Sequence, residues 1–513
     1  MERDWDRRSR WIATAVYAAV VTALACYHEM WRDEVRAFSV AIQNPTWSSL
    51  FFELRHEGHP ILWYAVLRLG YAATHSNLVL PVAAMIFGIV TAWLILKYAP
   101  FPVWLRLLAV FGTFLVYELT VVARNYGIGV LLMICACIAF SHRRTRPLVF
   151  AICLALMANT SVHAALAALV LLAAWGFGGF DGQDRRGLLS LQGIVSVLLV
   201  AGAVAFALWT AHPTPDMAWA FSSSTLSAGK IIRTIFTDPG LALRGSGDPG
   251  AVGELPWRVL RTSIDFPRWI VDAAFVWMLW KFRSDWKAVI MVIVTVTGFG
   301  LLFRNVYSGG PRHEGLFLFL LFSIGWISSL RKPESATAFA AGLLPLFAFQ
   351  AIALPVIAAR YLRHSESSSK AYGALIRSKP EYKDAILMSE PDYMMEALPY
   401  YVDNRVYMPR QREFQRRVYF DKGEKRMRDV SLATIHSIAD TVSCEYNVPV
   451  LLAIGDRNFE FRSSGFDRPS YKSTFTWTEP EWTRFRAAAP LVARFPYATT
   501  DEIYRVFLVS CGR

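Results

Sequence analysis

A dozen apolar runs constrain this chain more than any other feature, because most of them approach the length that crosses a bilayer. They fall at about 11–27, 60–74, 78–97, 102–122, 126–141, 147–160, 161–178, 188–210, 269–281, 287–303, 314–330 and 336–359. In lipid every backbone polar group needs a partner within its own segment, so runs of this kind fold as helices. Short basic linkers separate them: His142-Arg-Arg-Thr-Arg146, Asp184-Arg-Arg186, Lys281-Phe-Arg283 with Lys287, and Arg331-Lys332. The positive-inside rule places these linkers, and the head Arg7-Arg-Ser-Arg10, in the cytoplasm. From residue 142 onward two runs lie between neighbouring linkers, so the assignments agree with one another.

Before residue 142 parity is broken. Five runs lie between two cytoplasmic segments, so one of them does not span. Residues 60–74 are short, begin at Pro60 and have Arg68 in the middle. An interfacial helix on the outer leaflet suits them better. The chain then has about eleven spans, with residues 28–77, 122–125, 158–163, 211–268 and 304–312 on the outer side. The Arg-rich head and the pattern Ala23-Leu-Ala25 imitate a cleavable signal, but acidic residues in the head and the many later runs favour a retained first helix.

After residue 360 the composition turns polar, which divides the chain into a membrane domain, 1–360, and an extracytoplasmic domain, 361–513. Strand-like runs at Ala385–Met388, Val448–Ala453 and Tyr504–Val509, with helical stretches at 391–401 and 428–443, predict a small α/β layer. No glycine-rich phosphate loop stands at a strand–helix junction there. The fold class is thus an α-helical polytopic membrane protein with interfacial helices in the first outer loop and a small C-terminal α/β domain. The net charge of +13 is read as orientation rather than nucleic-acid binding, since no aromatic–basic platform accompanies it. Cys26, Cys135, Cys137 and Cys153 lie in apolar runs and read as packing residues, whereas Cys444 and Cys511 are free to pair outside the cytoplasm.

The outer side collects Asp33, Glu34, His56, Glu57, His59, Glu118, Arg124, Tyr126, His163, Arg304, Arg312, His313 and Glu314. Carboxylates at a membrane boundary are costly unless they pair or serve a site. Together these groups suit a reaction in which a carboxylate takes a proton from an attacking hydroxyl while arginines and histidines hold a departing phosphate. Plainer readings stand beside this one. Asp33 and Glu34 fit a solvated helix start. Arg124 with Tyr126 fits an interfacial anchor, Arg312-His313-Glu314 a capping cluster, and His163 a satisfied buried histidine. His56 and His59 have metal-ligand spacing, but Gly58 and Pro60 break the helix that would align them.

Three stretches resemble the GT-C glycosyltransferases, which use polyprenyl-phosphate sugars. The Asp33-Glu34 pair just after the first helix is similar to that family's first outer loop. Gly58-His-Pro-Ile-Leu-Trp-Tyr64 is similar to its His-Pro-Pro-Leu-Tyr element, and Tyr117-Glu-Leu-Thr-Val-Val-Ala-Arg-Asn-Tyr126 to its second-loop element. Arg312-His313 before a late helix is a further likeness, and the resemblance covers about residues 1–330. Protein-mannosyltransferase and aminoarabinose-transferase members also have interfacial helices in the first loop. Ile61 departs from the second proline, and no acidic residue follows Arg124-Asn-Tyr126. That second departure puts a metal requirement in doubt.

The resemblance implies an inverting glycosyltransferase of the bacterial inner membrane, with the N-terminus cytoplasmic. It would move a sugar from a polyprenyl-phosphate donor to a glycan, lipid or protein acceptor on the outer face. Asp33 would be the general base, with Glu34 beside it in support. His56, Glu57, His59, Glu118, Arg124, Tyr126, His163, Arg304, Arg312 and His313 would line the substrate site. No cofactor is called for, a divalent metal being allowed but not favoured. The partners would be the lipid-linked donor, the acceptor and membrane lipids, and no nucleic acid. The alternatives are a lipid-linked-sugar flippase, which would place polar groups at mid-membrane within an internal repeat, and an inert scaffold subunit.

Overall fold

The computed structural model describes residues 6–180, 184–212, 268–305, 311–419, 426–456, 466–468 and 473–512. Within these, seven helical segments are long and apolar enough to cross a membrane, from Arg7–Tyr27 to Pro333–Arg363. Four shorter apolar helices, Asn125–Phe140, Pro147–Ala158, Val162–Gly178 and Ala273–Phe282, join them. These eleven apolar helical segments fall on the eleven runs that the sequence expects to span, seven of them at full spanning length. They share one core, in which the helix Pro311–Arg331 is central and buried almost throughout.

The first helix, α1 (Arg7–Tyr27), is followed by three short helices in the stretch that the sequence reading assigns to the first loop: α2 (Arg32–Gln43), α3 (Trp47–Glu57) and α4 (Leu62–Thr74). At 13 residues α4 is about 20 Å long, no shorter than Pro147–Ala158, so length alone does not set it apart; the position of its ends does. Both of its ends lie toward the C-terminal domain. Glu57, just before it, is close to Arg417, and the Asn77 amide, just after it, reaches the Tyr400 carbonyl at 3.5 Å. The mid-helix charge that singled out this run has a defined task. Arg68 donates to the carbonyls of Ala41, Asn44 and Pro45 at 3.2, 2.7 and 3.1 Å, satisfying one orphan carbonyl of the last turn of α2 and two in the turn that follows it.

Two local devices shape the end of the helical domain that faces the C-terminal domain. Gly58 closes α3 with φ of +68°, a left-handed turn that favours glycine and frees His59 and Pro60 from the helix. Residues Phe114–Val121 form a π-helical stretch, from which the chain returns sharply into the helix Asn125–Phe140. A Cβ at Gly127 would stand 2.2 Å from the Leu119 carbonyl oxygen, so only glycine permits this return. The return is what delivers Arg124 to α2.

The C-terminal region begins after the long helix Ala336–Arg363. Its main sheet has four strands in the order Ile386–Glu390, Val450–Gly455, Tyr504–Val509, Leu491–Phe495. The first pair is parallel and the other two are antiparallel. Alternate residues supply two cores: Leu387, Leu451 and Ala453 pack toward Tyr372 and Ile376, while Ile386, Met388, Val450 and Leu452 pack toward the helix Leu432–Tyr446. Burial on both faces explains why these strands read as continuous apolar runs. The predicted helix over 391–401 is instead two 3₁₀ turns, Asp392–Met395 and Leu398–Tyr400, because a continuous α-helix would need an amide at position 399 for the Met395 carbonyl, and Pro399 has none. Residues Asp429–Ser431, expected as the start of a helix, form a short strand paired with Ser473–Thr476. Cys444 and Cys511 are joined by a disulfide.

Candidate active site

Asp33 sits in the first turn of α2, its carboxylate 37% exposed. It opens on a cleft of about 100 Å³ lined by Arg36, His56, Glu57, His59, Tyr64, Arg124 and Asn125 among others. The Arg124 guanidinium stands 3.8 Å from its carboxylate and donates to its backbone carbonyl. Partial burial would raise the Asp33 pKa. The charges of Arg124, Arg32 and Arg312 outweigh that and hold it below the ordinary 3.8, so the base form is the populated one.

Glu34, its neighbour, turns the other way and is fully buried. It accepts from the backbone N–H of Ala123 at 2.5 Å and of Trp31 at 3.3 Å, and from His28 Nε2 at 2.9 Å. Its side-chain partner is thus a histidine and not one of the nearby arginines. Arg32 and Arg36 are engaged elsewhere, Arg32 with Asp501 at 2.6 Å and Arg36 with Glu57 at 2.7 Å and Glu396 at 2.5 Å. Glu34 therefore ties α2 to the loop that bears Arg124 and does not face the cleft.

The other predicted residues fall into two layers. His56, Glu57 and His59 line the cleft with Asp33 and Arg124. His59 Nδ1 donates to the Glu57 carbonyl at 2.8 Å, which leaves Nε2 as an acceptor. Burial and the Arg124 charge keep His59 below its ordinary 6.5. Glu57 is pinned by Arg36, and this pairing overcomes burial to hold its pKa below 4.5. A second layer contains Tyr126, whose hydroxyl is 2.7 Å from His313 Nε2, with the His163 ring 4.5 Å from that of His313. Arg312 lies between Glu118, at 3.6 Å, and the Trp31 ring, at 5.1 Å. Arg304 lies in the last turn of the helix Trp286–Asn305, and its side chain falls outside the described residues. Glu314 is buried in the first turn of Pro311–Arg331.

The sequence did not point to the acidic groups that arrive from the C-terminal region. Glu366 places Oε2 3.3 Å from His28 Nδ1, so the buried ring stands between two carboxylates, Glu34 and Glu366. Burial alone would lower the His28 pKa; the two carboxylates raise it to about 9. Among the described residues these three are the group whose ligating atoms converge, all within 4.8 Å, and they fit a divalent cation by type and number. A proton on His28 fits equally well, since it serves Glu34 on one side and Glu366 and the Tyr117 hydroxyl, at 3.1 Å, on the other. Glu502 and Asp501 reach Arg32 from the final strand's approach. The signal available in the sequence was slight: an isolated acidic pair before a strand.

No protein-family model matches the chain, and no curated protein sequence is similar to it. Among solved structures it is similar to the crystal structure of ArnT from Cupriavidus metallidurans bound to undecaprenyl phosphate, at 12% identity and a TM-score of 0.46, over 97% of each chain.

Proposed function

We propose that this protein is a membrane glycosyltransferase of the GT-C kind, moving a sugar from a polyprenyl-phosphate carrier to an acceptor hydroxyl on the extracytoplasmic side. The observation that supports this most is the pairing of Asp33 with Arg124 at the mouth of the cleft: an ionised, accessible carboxylate beside a fixed guanidinium. In this reading Asp33 takes the proton of the acceptor hydroxyl as its oxygen attacks the anomeric carbon. The glycosyl–phosphate bond breaks on the opposite face, and the anomeric centre inverts. Arg124 receives the departing phosphate, with neutral His59 nearby. The arginines that keep Asp33 ionised also make it a weak base. A donor phosphate on Arg124 would draw that charge away and strengthen Asp33 when acceptor must be activated. No resident metal is required by this scheme.

The outer side is assigned by the positive-inside rule, and the Cys444–Cys511 disulfide is in keeping with an oxidising compartment for the C-terminal domain. A lipid-linked donor follows from that placement, because nucleotide sugars are cytoplasmic. The test is single-turnover transfer from polyprenyl-phosphate sugars by the purified protein in lipid, with a separate measurement of donor binding. Wild-type transfer together with loss in Asp33→Asn is expected. Donor binding without transfer in the wild type would instead favour a flippase or scaffold.

A further inference from the structure

Helix α2 begins without a cap of its own. The N–H groups at a helix start lack the usual acceptors one turn back, and the residue before this helix, Trp31, has no side-chain oxygen to offer. Glu34 takes the N–H of Trp31, and the amides of Glu34 and Val35 reach back to the Trp31 carbonyl. The amide of Arg32, the first residue of the helix, is answered from 470 residues away, where Glu502 Oε1 accepts it at 2.8 Å. Glu502 is fully buried, and its second oxygen accepts from the hydroxyl of Ser367, so the carboxylate is fixed before it meets the helix. Neighbouring contacts come from the same domain: Asp501 to the Arg32 guanidinium at 2.6 Å, and the Tyr401 hydroxyl to the Met30 carbonyl at 3.0 Å. Asp33 is the very next residue along α2.

We propose that Glu502 is a positioning residue, capping the amino end of α2 in trans, so that the C-terminal domain sets where Asp33 stands in the cleft. The inference rests on the reading of Asp33 as the base and deepens it. A plain docking contact would hold the two domains together and nothing more. A cap also fixes the direction of the first helical turn, and a base misplaced by about 1 Å can cost on the order of a hundredfold in rate. Only an acceptor atom is needed for capping, not a charge, and this gives the proposal its distinctive signature.

The experiment uses the full chain in lipid nanodiscs, with polyprenyl-phosphate sugar as donor. Glu502→Ala should lower kcat by about 10–100-fold, with KM for the donor within about twofold. Glu502→Gln, which keeps the acceptor oxygen and removes the charge, should recover most of the loss. Amide exchange across residues 31–36 should quicken in Glu502→Ala and not in Glu502→Gln. A second background guards against misfolding. Trp31 has φ −109° and ψ 172°, which suits the residue before a proline, and proline at the first helical position has no N–H to cap. In Arg32→Pro, adding Glu502→Ala should then change kcat by less than about twofold, roughly 0.4 kcal/mol. Equal loss in the Ala and Gln variants, or an undiminished effect in the Arg32→Pro background, overturns the cap. Full transfer by Asp33→Asn is a different failure, that of the catalytic reading itself.

Discussion

Replacing Glu34 by Gln should damage the fold more than the chemistry, and replacing Asp33 by Asn should do the reverse. Both Glu34 oxygens face donors: Oε1 the amide of Ala123, Oε2 the His28 Nε2–H and the amide of Trp31. A glutamine keeps one of these oxygens and turns an NH₂ toward the donors of the other. An unmet buried donor costs about 1–3 kcal/mol. Here the His28 cation also loses its nearest counter-charge, and breaking a buried pair from one side costs about 3–5 kcal/mol in all. Asp33 has a 37% exposed carboxylate and a cation no nearer than 3.7 Å, so Asn there should cost under about 1 kcal/mol. Its transfer rate should nevertheless fall by roughly 10²–10⁴, the usual share of a general base. Unfolding in nanodiscs, followed by tryptophan fluorescence, gives the first quantity. Single-turnover transfer gives the second, and the folded fraction of Glu34→Gln should retain more of it than Asp33→Asn. Unchanged stability in Glu34→Gln would refute the structural assignment of that residue. Wild-type transfer in Asp33→Asn would remove the base.

Four further outcomes are expected. The contact between His28 and Glu366 should loosen as pH rises. The folded pKa of His28 is raised from 6.5 to about 9 and that of buried Glu366 from 4.5 to about 7, so the two are ionised together between about 7 and 9; the stabilisation from the His28 proton, about 3 kcal/mol and shared with Glu34, declines above 6.5 and is gone above about 9. Distance measurements between labels on the first loop and the C-terminal domain should follow that course, and a latch insensitive to pH from 6 to 10 would count against it. Arg124→Lys keeps the charge but loses the planar guanidinium, whose Nη1 meets both the Asp33 carbonyl and its carboxylate and whose other N–H groups could grip a phosphate; donor affinity and kcat should both drop, by about tenfold or more. Dialysis against a chelator should leave transfer within about twofold, because a proton on His28 satisfies both carboxylates; a metal retained in stoichiometric amount would reverse that conclusion. Cysteines placed at Asn77 and at Ile61, both partly exposed, should label from the side that bears the C-terminal domain, and labelling of Asn77 from the cytoplasm alone would return α4 to the membrane.

Much of the membrane part was legible because its signals are local. A run of apolar residues announces a helix whatever it packs against, and linker charge orients it. Arg68 and the short run around it likewise marked α4 as different, although the carbonyls that Arg68 serves could not be named in advance. The cleft was legible in part: Asp33, Arg124, His56, Glu57 and His59 do line one space. What could not be read was how the two carboxylates divide their work, since adjacent residues on a helix diverge by about 100° and only the surroundings decide which faces inward. Nor could the partners from beyond residue 360 be read. Glu366, Asp501 and Glu502 meet the first loop across most of the chain's length, and a contact of that span leaves no periodic trace in the sequence.

The contact between Arg32 and Glu502 also imposes an order on biogenesis. At about 5–20 residues per second, the ribosome needs roughly 25–90 s to travel the 470 residues that separate them. During that interval the first loop has already emerged, and the spans enter the membrane one after another. The amide at the head of α2 waits for a carboxylate not yet made. A nascent chain halted short of its last strand would therefore own every membrane helix and the whole cleft, yet lack the contact that steadies Asp33. On the function proposed above, full turnover would come with the segment that carries Glu502 and not with insertion, and a chain lacking that segment would use donor slowly.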